Sequence, residues 1–256
     1  MLHPAVAAFE YHLITYRRTW RGTILTFFVI PAVFLVGMGW MVGGYVDGSS
    51  GNGLGASYLA YIAPGLLAST AVQVGIGEGT HAVYSGFHWA RTYHMMRASP
   101  LTTTDILTGH LGYILVRVTI SATGFVLVMG LLGTLGGPRG LLALPAAVLA
   151  GFSIAAFVFA YSATISEVAL LDVIYRVLVV PLSLFSGVFF PVSRMPAVGQ
   201  VLAAISPLWH GVELCRAATL GVPTAWGVPA HVGYLLLWTA AGFLVARRAF
   251  ARRLTD

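Results

Sequence analysis

Glu78 and His81 stand three residues apart in the run EGTH, a spacing that puts two metal ligands on one face of a helix in carboxylate-bridged sites. Such a site needs a second Glu-x-x-His and two further carboxylates. The chain has no second copy, so an ordinary polar pair near the end of an apolar segment is the better reading. The eight histidines show no other ligand spacing. There is no His-Glu-x-x-His zinc motif and no Gly-x-Ser-x-Gly nucleophile turn. All fourteen basic residues are Arg. A phosphate-binding loop needs a Lys after its second Gly, so this chain does not hydrolyse ATP by that route. What remains is a set of ionisable groups in or beside apolar segments: Glu78, Arg117, Glu167, Asp172, Arg176, Glu213 and Arg216. Charges in lipid are costly and face a bundle interior, a partner or a wet cavity.

The elements that must carry these groups are membrane spans. Of the 256 residues, 58% are hydrophobic and only 9% are charged, against roughly a quarter charged in a soluble domain. A bilayer core of about 30 Å takes about 20 apolar residues in a helix. Six segments qualify: residues 22–44, 58–83, 106–135, 141–166, 173–190 and 228–246. The fold class expected is therefore all-α and polytopic, with six transmembrane helices. Arg117 falls roughly 16 Å into the third span and requires a carboxylate or water. Glu78 is the natural partner, because an antiparallel hairpin of the second and third spans brings the two together. Gly75 with Gly79, and Gly39 with Gly43, are spaced for close helix approach.

Orientation follows from the arginines. With both termini in the cytoplasm, Arg17, Arg18, Arg21, Arg91, Arg97, Arg247, Arg248, Arg252 and Arg253 lie inside, whereas Arg139, Arg194 and Arg216 lie outside. That asymmetry obeys the positive-inside rule. It also explains the net charge of +6 as topology, with no nucleic-acid partner implied. The single Cys215 forms no intrachain disulfide, and MLHPAVAAFEYH lacks the pattern of a cleaved signal peptide.

Residues 1–21 are expected to form an interfacial helix, with Phe9, Leu13, Tyr16 and Trp20 on one stripe and Arg17, Arg18 and Arg21 toward headgroups. Residues 22–256 then form the six-span domain. The polar island FHWARTYHMMRASPLTTTD, within a loop at 84–105, joins the second and third spans on the cytoplasmic face, and Thr102 to Asp105 supplies a cap for the third. Outside, YVDGSSGNGLGAS reads as a flexible turn and GGPRG as a tight one. Residues 191–227 are apolar but broken by prolines, and split at Ser206-Pro207 into two pieces too short to span. They read as re-entrant helices over a pathway, since irregular backbone at membrane depth needs protein or water around it, with an amphipathic stretch on the outer leaflet as the alternative. Up to this point an integral membrane enzyme or a lipid-binding assembly factor fits as well as a transporter.

The order of these parts resembles the membrane subunit of type-2 ATP-binding cassette exporters over essentially the whole chain. Four pieces carry the resemblance: YLAYIAPGLLAST (58–70), WARTYHMMRASPLTTTDILTGH (89–110), SGVFFPVSRMP (186–196) and SPLWHGVELCRAATLG (206–221). They look most like the branch containing lipooligosaccharide (nodulation-factor) and antibiotic-resistance permeases. The resemblance implies export of a lipid, glycolipid, lipooligosaccharide or amphipathic drug across the cytoplasmic membrane. It implies a second permease, identical or related, and two copies of a cytoplasmic ATPase that bind the ATP and Mg; this chain itself binds no cofactor. By the same resemblance Phe87, His88, Trp89, Arg91, Tyr93, His94, Met96 and Arg97 form the coupling helix. Trp89, Tyr93 and Met96 would be buried anchors and Arg91 and Arg97 rim charges; anchoring to the membrane surface is the alternative role for such residues, and the position in the family favours the ATPase contact. Glu78, Arg117, Glu167 and Arg176 are the intramembrane polar set. Phe189, Phe190, Pro191, Pro196, His210, Glu213 and Arg216 mark an outer gate, where Glu213 and Arg216, three apart on a helix, are expected to neutralise each other.

Overall fold

The computed structural model describes residues 4–48 and 54–255, and among them there is no strand. Part of the turn YVDGSSGNGLGAS, residues 49–53, lies outside the described residues. Helix α1 is Pro4–Tyr16, and α2 is the long apolar helix Trp20–Gly48. Helix α3 is Tyr58–His88, α4 is Thr92–Arg97 and α5 is Thr103–Leu131. Helix α6 is Pro138–Thr164. A continuous helical run, α7, covers residues 169–185. Two short helices, α8 (Ala197–Ile205) and α9 (Pro207–Leu220), precede the last helix, α10 (Val228–Thr255).

Five of these helices, α2, α3, α5, α6 and α10, are long and apolar enough to cross a membrane. The fifth of the six expected spans is shorter. Its helix stops at Phe185 because Gly187 turns the chain with φ +74°, a conformation that glycine adopts without strain. Its length, about 25 Å at 1.5 Å per residue, falls a little under the core of a typical bilayer. It nevertheless carries the chain from the end of the bundle where Tyr84 donates to Ser166 O to the end where Arg216 meets Gly187.

Helices α3 and α6 form the centre, and their contact depends on glycine. A Cβ on Gly75 would collide with Gly151 O, and one on Gly151 with Ala71 O. Gly79 lies against Ala155 and Phe159 of the same neighbour, so the first glycine pair serves a real crossing. In the other pair, Gly39 packs under Leu59. Helix α2, by contrast, leaves most of its apolar surface outside, with Trp40 83% and Met41 74% exposed.

Helix α1 docks along α5. Ala8 sits over Gly109, Phe9 against Gly112, and the His12 ring stacks on His110 at 3.9 Å. The buried stripe is thus Ala8, His12 and Tyr16 as much as Phe9 and Leu13, while Trp20 is exposed. Helix α1, the connection around α4 and the C-terminal turns of α10 all gather at one end of the bundle, where Tyr93 meets both His110 and Phe250.

Candidate functional site

Helix α3 ends at His88, and the chain reverses through Arg91, whose φ of +49° is the one positive value among described non-glycine residues. Helix α4 follows, and α5 starts on a reciprocal capping box between Thr102 and Asp105. Within this loop the side chains divide sharply. Tyr93 is 1% exposed and packs on Phe87 at 4.7 Å and Phe250 at 5.0 Å. Its hydroxyl lies 2.6 Å from His110 Nδ1. Gly86 makes room for the ring, since a Cβ there would overlap Tyr93. Phe87 and Tyr93 therefore anchor the loop to its own bundle and are not free to anchor a partner. Trp89 (60% exposed) and Met95 (61% exposed) point outward with Arg91, His94 and Arg97, while Met96 is only half-exposed. Met95 was not singled out by sequence, because two adjacent methionines are indistinguishable before the helix phase is fixed. His88 Nε2 lies 3.1 Å from Ile165 O and 3.2 Å from an Arg253 guanidinium nitrogen.

In the middle of the bundle, Arg117 Nε donates to Glu78 Oε1 at 2.7 Å. A second guanidinium nitrogen donates to Thr23 Oγ1 at 2.8 Å. The group also lies over the rings of Tyr16, at 4.5 Å, and Phe27, at 5.0 Å. One cation thereby joins α1, α2, α3 and α5. Glu78 is engaged here, and His81 is exposed, tilted toward Tyr175. Glu167 and Arg176 are not drawn into this cluster. Both are exposed on this chain, as is Asp172.

A side cavity of about 550 Å³ opens between α2, α3 and α7. Phe27, Phe34, Leu66 and Phe189 give it apolar walls. One polar seam crosses it: Gln73 donates to Ser69 Oγ at 3.1 Å, and Ser69 and Ser183 hydroxyls lie 3.3 Å apart. No sequence motif marks this seam, because it joins residues from two helices more than a hundred positions apart.

At the far end, Arg216 does not pair with Glu213. One guanidinium nitrogen donates to Gly187 O at 2.6 Å and to Val188 O at 3.0 Å. Its Nε donates to Tyr61 O at 3.4 Å, and its Cζ lies 3.8 Å from the Tyr61 ring centre. Carbonyls satisfy it because the chain reversal at 186–188 aims them inward. Glu213 instead accepts from Ala225 N at 3.2 Å. His210 bridges Ala204 O at 3.0 Å and His231 Nδ1 at 2.8 Å, and stacks on Tyr234. Pro191, Trp209, Glu213 and Arg216 line an open cavity of about 680 Å³ here. Phe189 lines the side cavity instead, Phe190 is exposed, and Pro196 precedes α8, whose outer face exposes Val198, Val201 and Ile205.

Long apolar helices packed around a side cavity define an all-α, multi-pass membrane protein. The sequence comparison gives the particular family: the chain belongs to the ABC-2 type transporter membrane proteins, whose family model matches residues 6–220. It is 29% identical to nodulation protein J of Rhizobium leguminosarum bv. viciae over 97% of this chain and 94% of that one. It is 28% identical to nodulation protein J of Sinorhizobium fredii (97% and 93%) and 26% identical to that of Rhizobium meliloti (97% and 93%). The chain is thus a permease subunit of an ABC-2 type exporter, a family whose membrane subunits have no ATPase site of their own.

Proposed function

We propose that the chain moves an amphipathic substrate, a lipid, glycolipid, lipooligosaccharide or amphipathic drug, outward across the cytoplasmic membrane. In this reading both termini and the 84–105 loop lie in the cytoplasm and α7 completes the sixth crossing. Helix α1 lies along the cytoplasmic interface, with Tyr11 and Ile14 toward lipid. The observation that carries the substrate class is the side cavity between α2, α3 and α7. Its apolar walls suit a chain or ring system, and the Ser69–Gln73–Ser183 seam suits a polar head.

The unpaired surface of α7 supports a second permease. Arg176 is exposed about two turns into an apolar helix, and an exposed charge at membrane depth needs a protein partner or a water-filled path. A second copy, identical or related, set against α2 and α7 supplies both and closes the cavity into a shared pathway. Two copies of an ATP-binding cassette subunit, which hold the ATP and Mg, dock beneath. They press on Trp89, Arg91, His94 and Met95. The base of that loop, Phe87 and Tyr93, is locked to α3, α5 and α10, so a push on α4 is passed to three helices without being absorbed locally.

The test is copurification with an ATP-binding cassette subunit, followed by ATP-dependent transport in vesicles. Trp89→Ala combined with Arg91→Ala is expected to release the ATPase from an otherwise folded permease. Retained binding and coupling in that double variant would remove the loop assignment.

A further inference from the structure

Between the turn after α3 and the last turns of α10 lies a cleft of about 350 Å³, lined by Phe87, His88, Arg91, His94 and Arg253. In a chain with only eight acidic residues, this spot gathers two guanidinium groups and two imidazoles. Among the described residues, none of Arg91, His94 and Arg253 is paired with a carboxylate. The backbone turn places Arg91, and a side-chain contact places Arg253. Arg91 sits in a left-handed turn that is uncommon for residues other than Gly, Asn and Asp, and its carbonyl accepts from Met95 N at 3.1 Å. Arg253 is steered by His88 at 3.2 Å. Fixing like charges around one concavity costs energy by mutual repulsion, and an anion seated between them reverses the sign of that term.

We propose that this cleft receives a carboxylate side chain of the ATPase subunit, so that the C-terminal end of α10, through Arg253, belongs to the force-transmitting contact. The proposal rests on the reading that the ATPase docks under this loop. A guanidinium pairs with a carboxylate through two parallel hydrogen bonds, and two guanidiniums line this one cleft. The exposed Trp89 and Met95 directly follow the cleft residues His88 and His94 in the chain. Covered by a protein surface, they exclude water from the ion pair and strengthen it. That apolar border favours a protein carboxylate over a mobile lipid headgroup. The consequence is mechanical: ATPase motion pulls on the last helix directly, in addition to pushing on α4.

The experiment measures binding of the copurifying ATPase to the full-length permease in phosphatidylcholine nanodiscs, at two salt concentrations. Arg91→Asn, which tolerates the left-handed turn, combined with Arg253→Gln, is expected to weaken binding about tenfold or more and to flatten its salt dependence. Arg91→Lys with Arg253→Lys, which keeps both charges but not the paired hydrogen bonds, is expected to retain part of the affinity and the salt dependence. Arg248→Gln, on the same helix end but outside the cleft, changes it little. Equal loss in Arg248→Gln would reduce the effect to a general field and overturn the cleft. A defect seen only when phosphatidylglycerol is added would assign the cleft to a lipid headgroup and also overturn it. Wild-type binding with an unaffected double variant removes this proposal alone, whereas absence of wild-type binding removes the docking reading with it.

Discussion

Arg117 and Glu78 meet 2.7 Å apart, from helices α5 and α3, with 14% and 19% of their side chains exposed. The pair lies among apolar helices and is completed by Thr23 and two aromatic rings. Burying two charges costs several kcal/mol each, and their attraction offsets this only while both are present.

Removing one partner is therefore worse than removing both. Arg117→Leu is expected to lose about 3–5 kcal/mol of stability by leaving Glu78 uncompensated, and to reduce transport by loosening α1 and α2 from α5. Glu78→Gln with Arg117→Met is expected to recover part of that loss. Thermal unfolding in detergent reads the first effect and vesicle transport the second. Normal stability and transport in Arg117→Leu would show the pair to be idle.

In the loop after α3, substitutions are expected to separate stability from coupling. Tyr93→Ala empties a fully buried site and is expected to cost about 3–5 kcal/mol, with Gly86→Leu similar because the ring has no other place to go. Trp89→Ala, at an exposed position, is expected to leave the melting temperature within a degree or two while lowering stimulation of the ATPase. Equal destabilisation by Trp89→Ala and Tyr93→Ala would contradict this division.

Acid should undock helix α1. Burial pushes His12 down from its ordinary 6.5 to about 4, and its Nε2 has no hydrogen-bond partner between Tyr11, His110 and Tyr113. The unfolded or undocked helix binds the proton more tightly, so docking is fully favoured above pH 6.5 and weakens as pH falls from 6.5 toward 4. The energetic stake is about 3 kcal/mol. Hydrogen exchange of residues 4–16 is expected to rise over that window, and His12→Gln to flatten the dependence. Unchanged protection down to pH 4 would contradict the burial of a neutral ring.

The far end depends on one cation. Arg216→Met is expected to free the carbonyls of Gly187 and Val188 and cost about 2–4 kcal/mol. Hydrogen exchange is expected to increase over 186–196 ahead of the rest of the chain. Glu213→Gln, whose only described bond is to Ala225 N, is expected to be nearly neutral. Equal effects from the two would restore the ion pair expected from their spacing.

Much of this arrangement was legible in the residues. The Glu78–Arg117 pair followed from a hairpin of adjacent spans, and the break at Ser206-Pro207 from proline's missing donor. Thr102 and Asp105 announced their own cap. Other features carry no local signature. Tyr93 has the composition of a partner-facing aromatic, and only Gly86, seven residues earlier, hints at the ring packed on it. Arg216 has an acid one helical turn away, yet backbone carbonyls from a distant reversal win, and carbonyls are invisible in sequence. The seam of Ser69, Gln73 and Ser183 joins three common residues whose meeting depends on how α7 leans on α3. The early end of α7 was written in Gly187, but an apolar run continuing through Phe189 and Phe190 masked it.

The central claim is tested most directly by following an amphipathic glycolipid into inside-out membrane vesicles carrying the permease and its copurifying ATPase. The expected result is accumulation that requires ATP and both subunits. It should fall with Trp89→Ala plus Arg91→Ala while permease abundance stays constant. Accumulation that is equal without ATP, or without the ATPase subunit, would contradict the claim.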